Sequence, residues 1–451
     1  MSETKMYDPW LKDGGPAALV IREVLEPVEG RDGVFFPATY AAAEDKTKFA
    51  GGYNIDVFPD EKVIGEAVAA MLRDGRLKPT IDLFPSSPNI CLVDSIGSQA
   101  NRIETIFARP HYAGLVPQVR ITAGDKTINL LEAGHRAGDA IIRSSELGGE
   151  LHGAFKQLLR GNAEPLARIA PTSFVFGVWD SRDTEAKVPR LVASTIRAFN
   201  VVRLSRSANY LVQQQVDYTK EGLVPIWETE KEKELYSKRG FLNALASASH
   251  GGVILRPDGS IRRDATLGLS SLRRLTAADE NMTEKLRRYI LGLALVALTA
   301  EQETYLRQGC NLVPAEEGKL RTFEIVHATG KREPCKLTHD EAKRYAEAAA
   351  SEFGVGINRD VAFDKKLAEK DIKGDEEKLK GEVVSVDPVE KKIKLNVGKK
   401  NKPMEIDVTT NESTSFLKGK EASHFEAVVV LGDKLDVELA NGVAVKVSGK
   451  K

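Results

Sequence analysis

The chain has 451 residues, 65 Lys plus Arg against 65 Asp plus Glu, and a hydrophobic content of 42%. That length exceeds one simple core and predicts two or three units, while the zero balance excludes a uniformly basic nucleic-acid binder, so a polyanion site requires charge segregated to one face. Cys91, Cys310 and Cys335 have no paired spacing, and the longest apolar run, Ile290 to Ala300, is too short to span a bilayer; disulfide, zinc and membrane classes are set aside. The N-terminal MSETKMYDPWLKDGG has no apolar signal segment, so the expected location is the cytoplasm.

In chain order, the first predicted element is a helix over Asp60 to Asp74. Val63, Ala67 and Met71 recur at i+4 beside Ile64, Val68 and Leu72, and Gly75 stands where a C-terminal cap belongs. Ile90 to Val93 reads as a buried strand leading into a loop, and a second helix then begins near Ser98 with Ile103 and Phe107 inward. Phe174 to Trp179, Arg197 to Leu204 and Gly252 to Leu255 read as strands, Met282 to Arg307 as a helix, and Thr338 to Phe353 as a helix with Thr338 and Glu341 in capping-box spacing. No solenoid repeat is present.

Arg359 is the last arginine, and Asp364 to Lys380 is charged and nearly free of large apolar residues, as a linker or exposed helix would be. Beyond it GEVVSVD, KKIKLNV, MEIDVTT, KLDVEL and VAVKVS are short runs of period two between turn signals, which predicts a small, partly closed all-β barrel of OB or SH3-like type. The expected division is therefore residues 1–360, a charged linker 361–378, and an all-β module 379–451. The fold class is α+β.

Four segments carry arginine beside glycine, serine, asparagine and other small residues, a chemistry in which guanidinium forks and free backbone N–H groups suit phosphate oxygens. In SQANR, Ser98, Asn101 and Arg102 sit at an expected helix N-terminus, a natural phosphate site; the plainer reading is an N-cap at Ser98 with Arg102 solvated. In GHRAGDA, His135 suits a base and Arg136 a phosphate, and a small-residue helix turn with a structural histidine fits equally well. WDSRDTEAKVPR, with Arg182, Lys187 and Arg190, is the strongest: from Arg182 to Arg206 the cations Arg182, Lys187, Arg190, Arg197, Arg203 and Arg206 stand against only Asp183 and Glu185. In PDGSIRRDATLGLSSLRR the Asp258-Gly259 pair signals a turn, so Arg262 and Arg263 serve one surface if they lie in a loop, whereas in a strand they point to opposite faces. Arg273 and Arg274 read as solvated.

No nucleophile elbow, phosphate loop, H-E-x-x-H or paired-cysteine motif is present, and the seven histidines show no ligand spacing. The reading is a binding protein with no catalytic residue, no metal and no cofactor. A metal-independent ribonuclease using His135 with a neighbouring base is the alternative, since such sites leave little trace in sequence.

Together and in this order, DSIGSQANRIE, LEAGHRAGDAI, FVFGVWDSRDTEAKVPRLVASTIRAF and GGVILRPDGSIRRDATLGLSSLRRL resemble the repeated backbone subunit of CRISPR Cascade in its type I-G (formerly I-U) form, within the RAMP superfamily. The resemblance runs from about Tyr7 to Phe353 and leaves out the β module. It implies an RRM-like (ferredoxin-like) palm with large insertions, one of them a thumb-like hairpin. It also implies a non-catalytic subunit of antiviral defence that polymerises head to tail along CRISPR RNA and presents it to target DNA. Its expected partners are the RNA, the target DNA, further copies of itself and other Cascade subunits, with no membrane. The family's alternative activity is endonucleolytic processing of guide precursor RNA. The aromatic strand signature of ordinary RRMs is missing, so base stacking on the sheet is not expected.

Overall fold

Alternation along Ala18–Pro27 (β1) buries Leu19, Ile21, Glu23 and Leu25 on one face and leaves Val20, Arg22 and Val24 half-buried on the other, as the strand period of two dictates. The computed structural model describes residues 5–45, 51–57, 89–210, 217–242, 244–373, 377–398, 404–419, 421–440 and 443–449. The helix expected over Asp60 to Asp74 lies outside them. Contacts divide the chain into two units, one of residues 1–120, 129–138 and 151–359, the other of 121–128, 139–150 and 360–451.

In the first unit β1 pairs with Ala244–Gly268 (β4), β4 with Val192–Tyr210 (β3), and β3 with Asn89–Asp94 (β2), all antiparallel. On the other side of β1 lie Cys310–Pro314 (β5) and Arg321–Val326, also antiparallel. The spatial order is thus β5-β1-β4-β3-β2. The strands bury Leu25, Val93, Ile196, Val253, Ile261 and Leu312 in a common core, each full apolar burial being worth about 1.5–3 kcal/mol. From Val201 to Tyr210, β3 runs against Leu255 back to Ala244. The residues described between the two strands include the capped helix Glu230–Lys238.

Helix Glu280–Thr299 packs on His339–Phe353 where Gly292 meets Ala346; a Cβ at 292 would lie 2.7 Å from the Ala346 Cα, so only glycine permits the approach. The expected Thr338 capping box is formed. Three elements differ from expectation. The helix expected to reach Arg307 stops at Thr299, and after the polar Glu301–Gln302–Glu303 run Tyr305–Arg307 pairs with β5 as a strand. Of Phe174 to Trp179, expected as strand, Val178–Trp179 is a strand, but Phe174 to Phe176 belong to the buried helix Thr172–Phe176, closed by Gly177 at φ +82°. The Asp258-Gly259 signal makes no hairpin: pairing passes from Phe199↔Ser260 to Val201↔Leu255, so the turn residues form a bulge inside β4.

The second unit contains a closed barrel. Its five strands are Glu377–Asp387, Lys392–Asn396, Glu405–Thr409, Lys434–Ala440 and Val443–Gly449, and the ring closes by the parallel pair Thr409↔Val443. Its core is drawn from within the barrel, including Leu379, Val383, Leu395, Val408, Phe425 and Val447. The lysines meet acids across its surface: Lys394 lies 3.7 Å from Asp407, Lys446 3.6 Å from Glu438 and Lys380 3.3 Å from Asp436. In the expected linker Asp364 caps the helix Lys365–Lys373, and Asp371 pairs with Arg143 at 3.1 Å. The unit also holds a sheet of Arg359–Ala362, Val119–Ala123 and Lys126–Asn129.

A ring without free edges and with its own core predicts autonomy. Residues 377–451 expressed alone should show a cooperative thermal transition by circular dichroism. A non-cooperative, denaturant-insensitive spectrum would contradict this.

Candidate nucleic-acid interface

Helix Ile96–Glu104 (α1) follows β2 directly, and Ser95 rather than Ser98 is its N-cap, accepting the Ser98 N–H at 3.3 Å. Ser98 is half-buried one turn in. The earlier start moves Arg102 from the expected first turn to the last, where the helix dipole favours a cation. Arg102 is held by protein groups: its Nε lies 3.3 Å from Asp94 and its Nη2 donates to the Leu306 carbonyl. Arg307 reaches the same fully buried Asp94 at 2.5 Å. Arg102 and Arg263 line a cavity of about 410 Å³ with Leu25, Ile103 and Leu312.

Arg136 joins three of the four sequence motifs. It is 3% exposed and adopts φ +53°, a left-handed backbone that a non-glycine residue rarely takes. Its Nε lies 2.5 Å from Glu104 on α1, its Nη2 donates to Asn101 Oδ1 at 3.0 Å, and its Nη1 donates to the Gly177 carbonyl at 3.3 Å. The guanidinium also covers the Phe176 ring at 5.4 Å. Burial pushes the Glu104 carboxyl up to about 7, opposed by Arg136 and the Thr172 hydroxyl. Burial likewise lowers Arg136, opposed by Glu104. The sequence reading gave Arg136 to phosphate; its burial places it under the surface instead.

Asn101, His135, Trp179, Arg182, Lys187 and Arg190 are exposed. The segments that carry them approach one another at three glycines. A Cβ on Gly134 would lie 4.0 Å from Asn101 Nδ2, one on Gly97 3.9 Å from Arg190 Nη2, and one on Gly138 3.0 Å from the Trp179 carbonyl. Arg190 is steered by donating its Nε to the Phe176 carbonyl at 2.9 Å. The loop after Trp179 is shaped by buried Asp180, which accepts from the Thr184 N–H at 3.0 Å and hydroxyl at 2.6 Å. Asp183 at the tip meets His152. Trp179, 59% exposed with Lys187 Nζ 5.2 Å from its ring centre, offers a flat face for a base. The sequence reading used Trp179 only as a strand end, and passed over Glu104 although it lay inside a quoted motif; an aromatic at the start of a basic loop was the available signal.

Arg262 and Arg263 do not join this surface. Both lie in β4, where alternation sends them to opposite faces. Arg262 lies over the Phe199 ring at 4.7 Å and pairs with Asp264 at 3.0 Å. Arg263, 3% exposed, pairs with buried Glu23 at 2.9 Å. Arg273, expected to be solvated, donates to the carbonyls of Trp10 and Pro16, both at 2.9 Å.

Residues 19–203 match the family model described as CRISPR-associated protein GSU0053. That stretch, under half of the chain, contains the exposed residues just described. Among solved structures, the chain is similar to one titled "CRISPR RNA-guided surveillance complex, pre-nicking", at 9% identity and a TM-score of 0.25, covering 78% of this chain and 99% of that one. No curated protein matches. Among the described residues no helix is long and apolar enough to cross a membrane.

Proposed function

We propose that this chain is a non-catalytic backbone subunit of a Cascade-type effector of type I-G, gripping CRISPR RNA by its sugar–phosphate chain. The observation that carries the reading is that Asn101, His135, Arg182, Lys187, Arg190 and Trp179 are all exposed on segments that approach one another, in a chain whose net charge is zero. Arginine, lysine and amide donors hold phosphates without reading sequence, while an aromatic face accepts any base. Such a surface suits a guide of arbitrary sequence.

The antiparallel order β5-β1-β4-β3 supports an RRM-like palm of the RAMP type, since its strands taken in chain order lie fourth, first, third, second. The arm formed by the outer parts of β3 and β4 suits the thumb. In this reading copies assemble head to tail along the RNA and present its bases to target DNA.

The test is incubation of the purified protein, free of other subunits, with end-labelled precursor RNA. Binding without cleavage is expected. Cleavage abolished by His135→Ala would establish the processing ribonuclease instead.

A further inference from the structure

The best-placed donor of the exposed surface is an amide whose orientation is set from below. Asn101 is exposed on the last turn of α1, and an unrestrained amide there would present oxygen or nitrogen to solvent with little preference. Arginine carries donors and no acceptor, so the Asn101 atom 3.0 Å from Arg136 Nη2 is the carbonyl oxygen. The Nδ2 hydrogens then face the Gly134–His135 loop and the open surface. Two costs converge on Arg136: a left-handed backbone, which for a non-glycine residue is a marker of function, and a buried ion pair with Glu104. An apolar residue of similar volume in place of such a pair is often neutral or stabilising, and glycine would take the φ without strain. Packing alone therefore does not account for an arginine here.

We propose that Arg136 is a positioning residue for RNA: held by Glu104, it fixes the Asn101 amide so that its Nδ2, and not its oxygen, is presented to the nucleic-acid backbone. This rests on the RNA-binding reading above. Glu104 completes the arrangement by holding Nε beside the Nη2 that meets Asn101, while Gly177 and Phe176 restrain the guanidinium from the third motif. The buried pair thereby links α1, the 134–138 turn and the start of the basic loop, and sets their donors in register.

The experiment is a double-mutant cycle in RNA affinity, read by fluorescence anisotropy on a labelled single-stranded RNA, with Asn101→Ala, Arg136→Lys and the double variant. Each single change should weaken binding by about fivefold, the scale of one hydrogen bond. The double variant should be no weaker than Asn101→Ala, because Arg136 acts through Asn101. Losses that multiply would overturn the inference. Glu104→Gln gives an arm independent of the Arg136 change: removing a negative charge beside a polyanion site would by itself tighten binding, whereas loss of positioning weakens it. Weaker binding by Glu104→Gln, absent in the Asn101→Ala background, is expected, and tighter binding would overturn the inference. Wild-type protein that fails to bind RNA would remove the functional reading itself, and this inference with it.

Discussion

Alanine at Arg182, Lys187 and Arg190 together should lower RNA affinity by at least about tenfold and flatten its salt dependence, because each phosphate contact on a single strand contributes about 0.7 to the slope of log K against log salt. Three lost contacts amount to a slope change of about 2. Stability should hardly move at two of the positions: Arg182 and Lys187 are exposed, and exposed substitutions stay within about 0.5 kcal/mol. Arg190 also donates to the Phe176 carbonyl at 2.9 Å, so its removal should add a loss of about 1 kcal/mol. Anisotropy titrations at several salt concentrations, with a melting curve of each variant, check both halves. Unchanged affinity and slope in a folded triple variant would take the interface away from this loop.

The largest effect on stability is expected at Arg263. Its removal leaves Glu23, 7% exposed and 2.9 Å from Arg263, with Arg321 at 3.8 Å as the compensating cation among the described residues. Stranding one member of a buried pair costs about 3–5 kcal/mol. Arg263→Met should therefore lower the melting temperature markedly, and adding Glu23→Leu should restore much of the loss, since the paired apolar residues leave no buried charge. A stable Arg263→Met protein, or a double variant worse than the single, would show that Glu23 is not stranded by the loss of Arg263.

These contrasts show what was legible in the sequence. Period-two alternation is a local property, and so the barrel strands and the buried face of β1 could be read directly. The Thr338 capping box was legible because it too is local, whereas the start of α1 fell at Ser95 and not at Ser98. Whether an arginine faces solvent is decided by partners distant in the chain, and there the reading failed in one direction. Arg102, Arg136 and Arg263 look like Arg190 in a sequence window, yet Asp94, Glu104 and Glu23 claim them. The Pro-Asp-Gly signal at 257–259 was real as a break in pairing, but Arg31 donates to the Pro257 carbonyl at 2.7 Å and the Gly259 carbonyl at 3.0 Å, holding it as a bulge. Arg262 and Arg263 consequently continue a strand and diverge. Three motifs did converge as their shared chemistry suggested, through a buried residue that composition alone cannot distinguish from a surface one.

The central claim is that many copies of this chain coat one RNA through charge segregated to one face. The direct measurement is size-exclusion chromatography with light scattering on the full chain, mixed with a guide-length single-stranded RNA at low and high salt. A large protein–RNA assembly, with absorbance at 260 nm co-eluting, should form at low salt and shrink as salt rises, because each cationic contact depends on counterion release. A monomer with RNA eluting separately under every condition would contradict it.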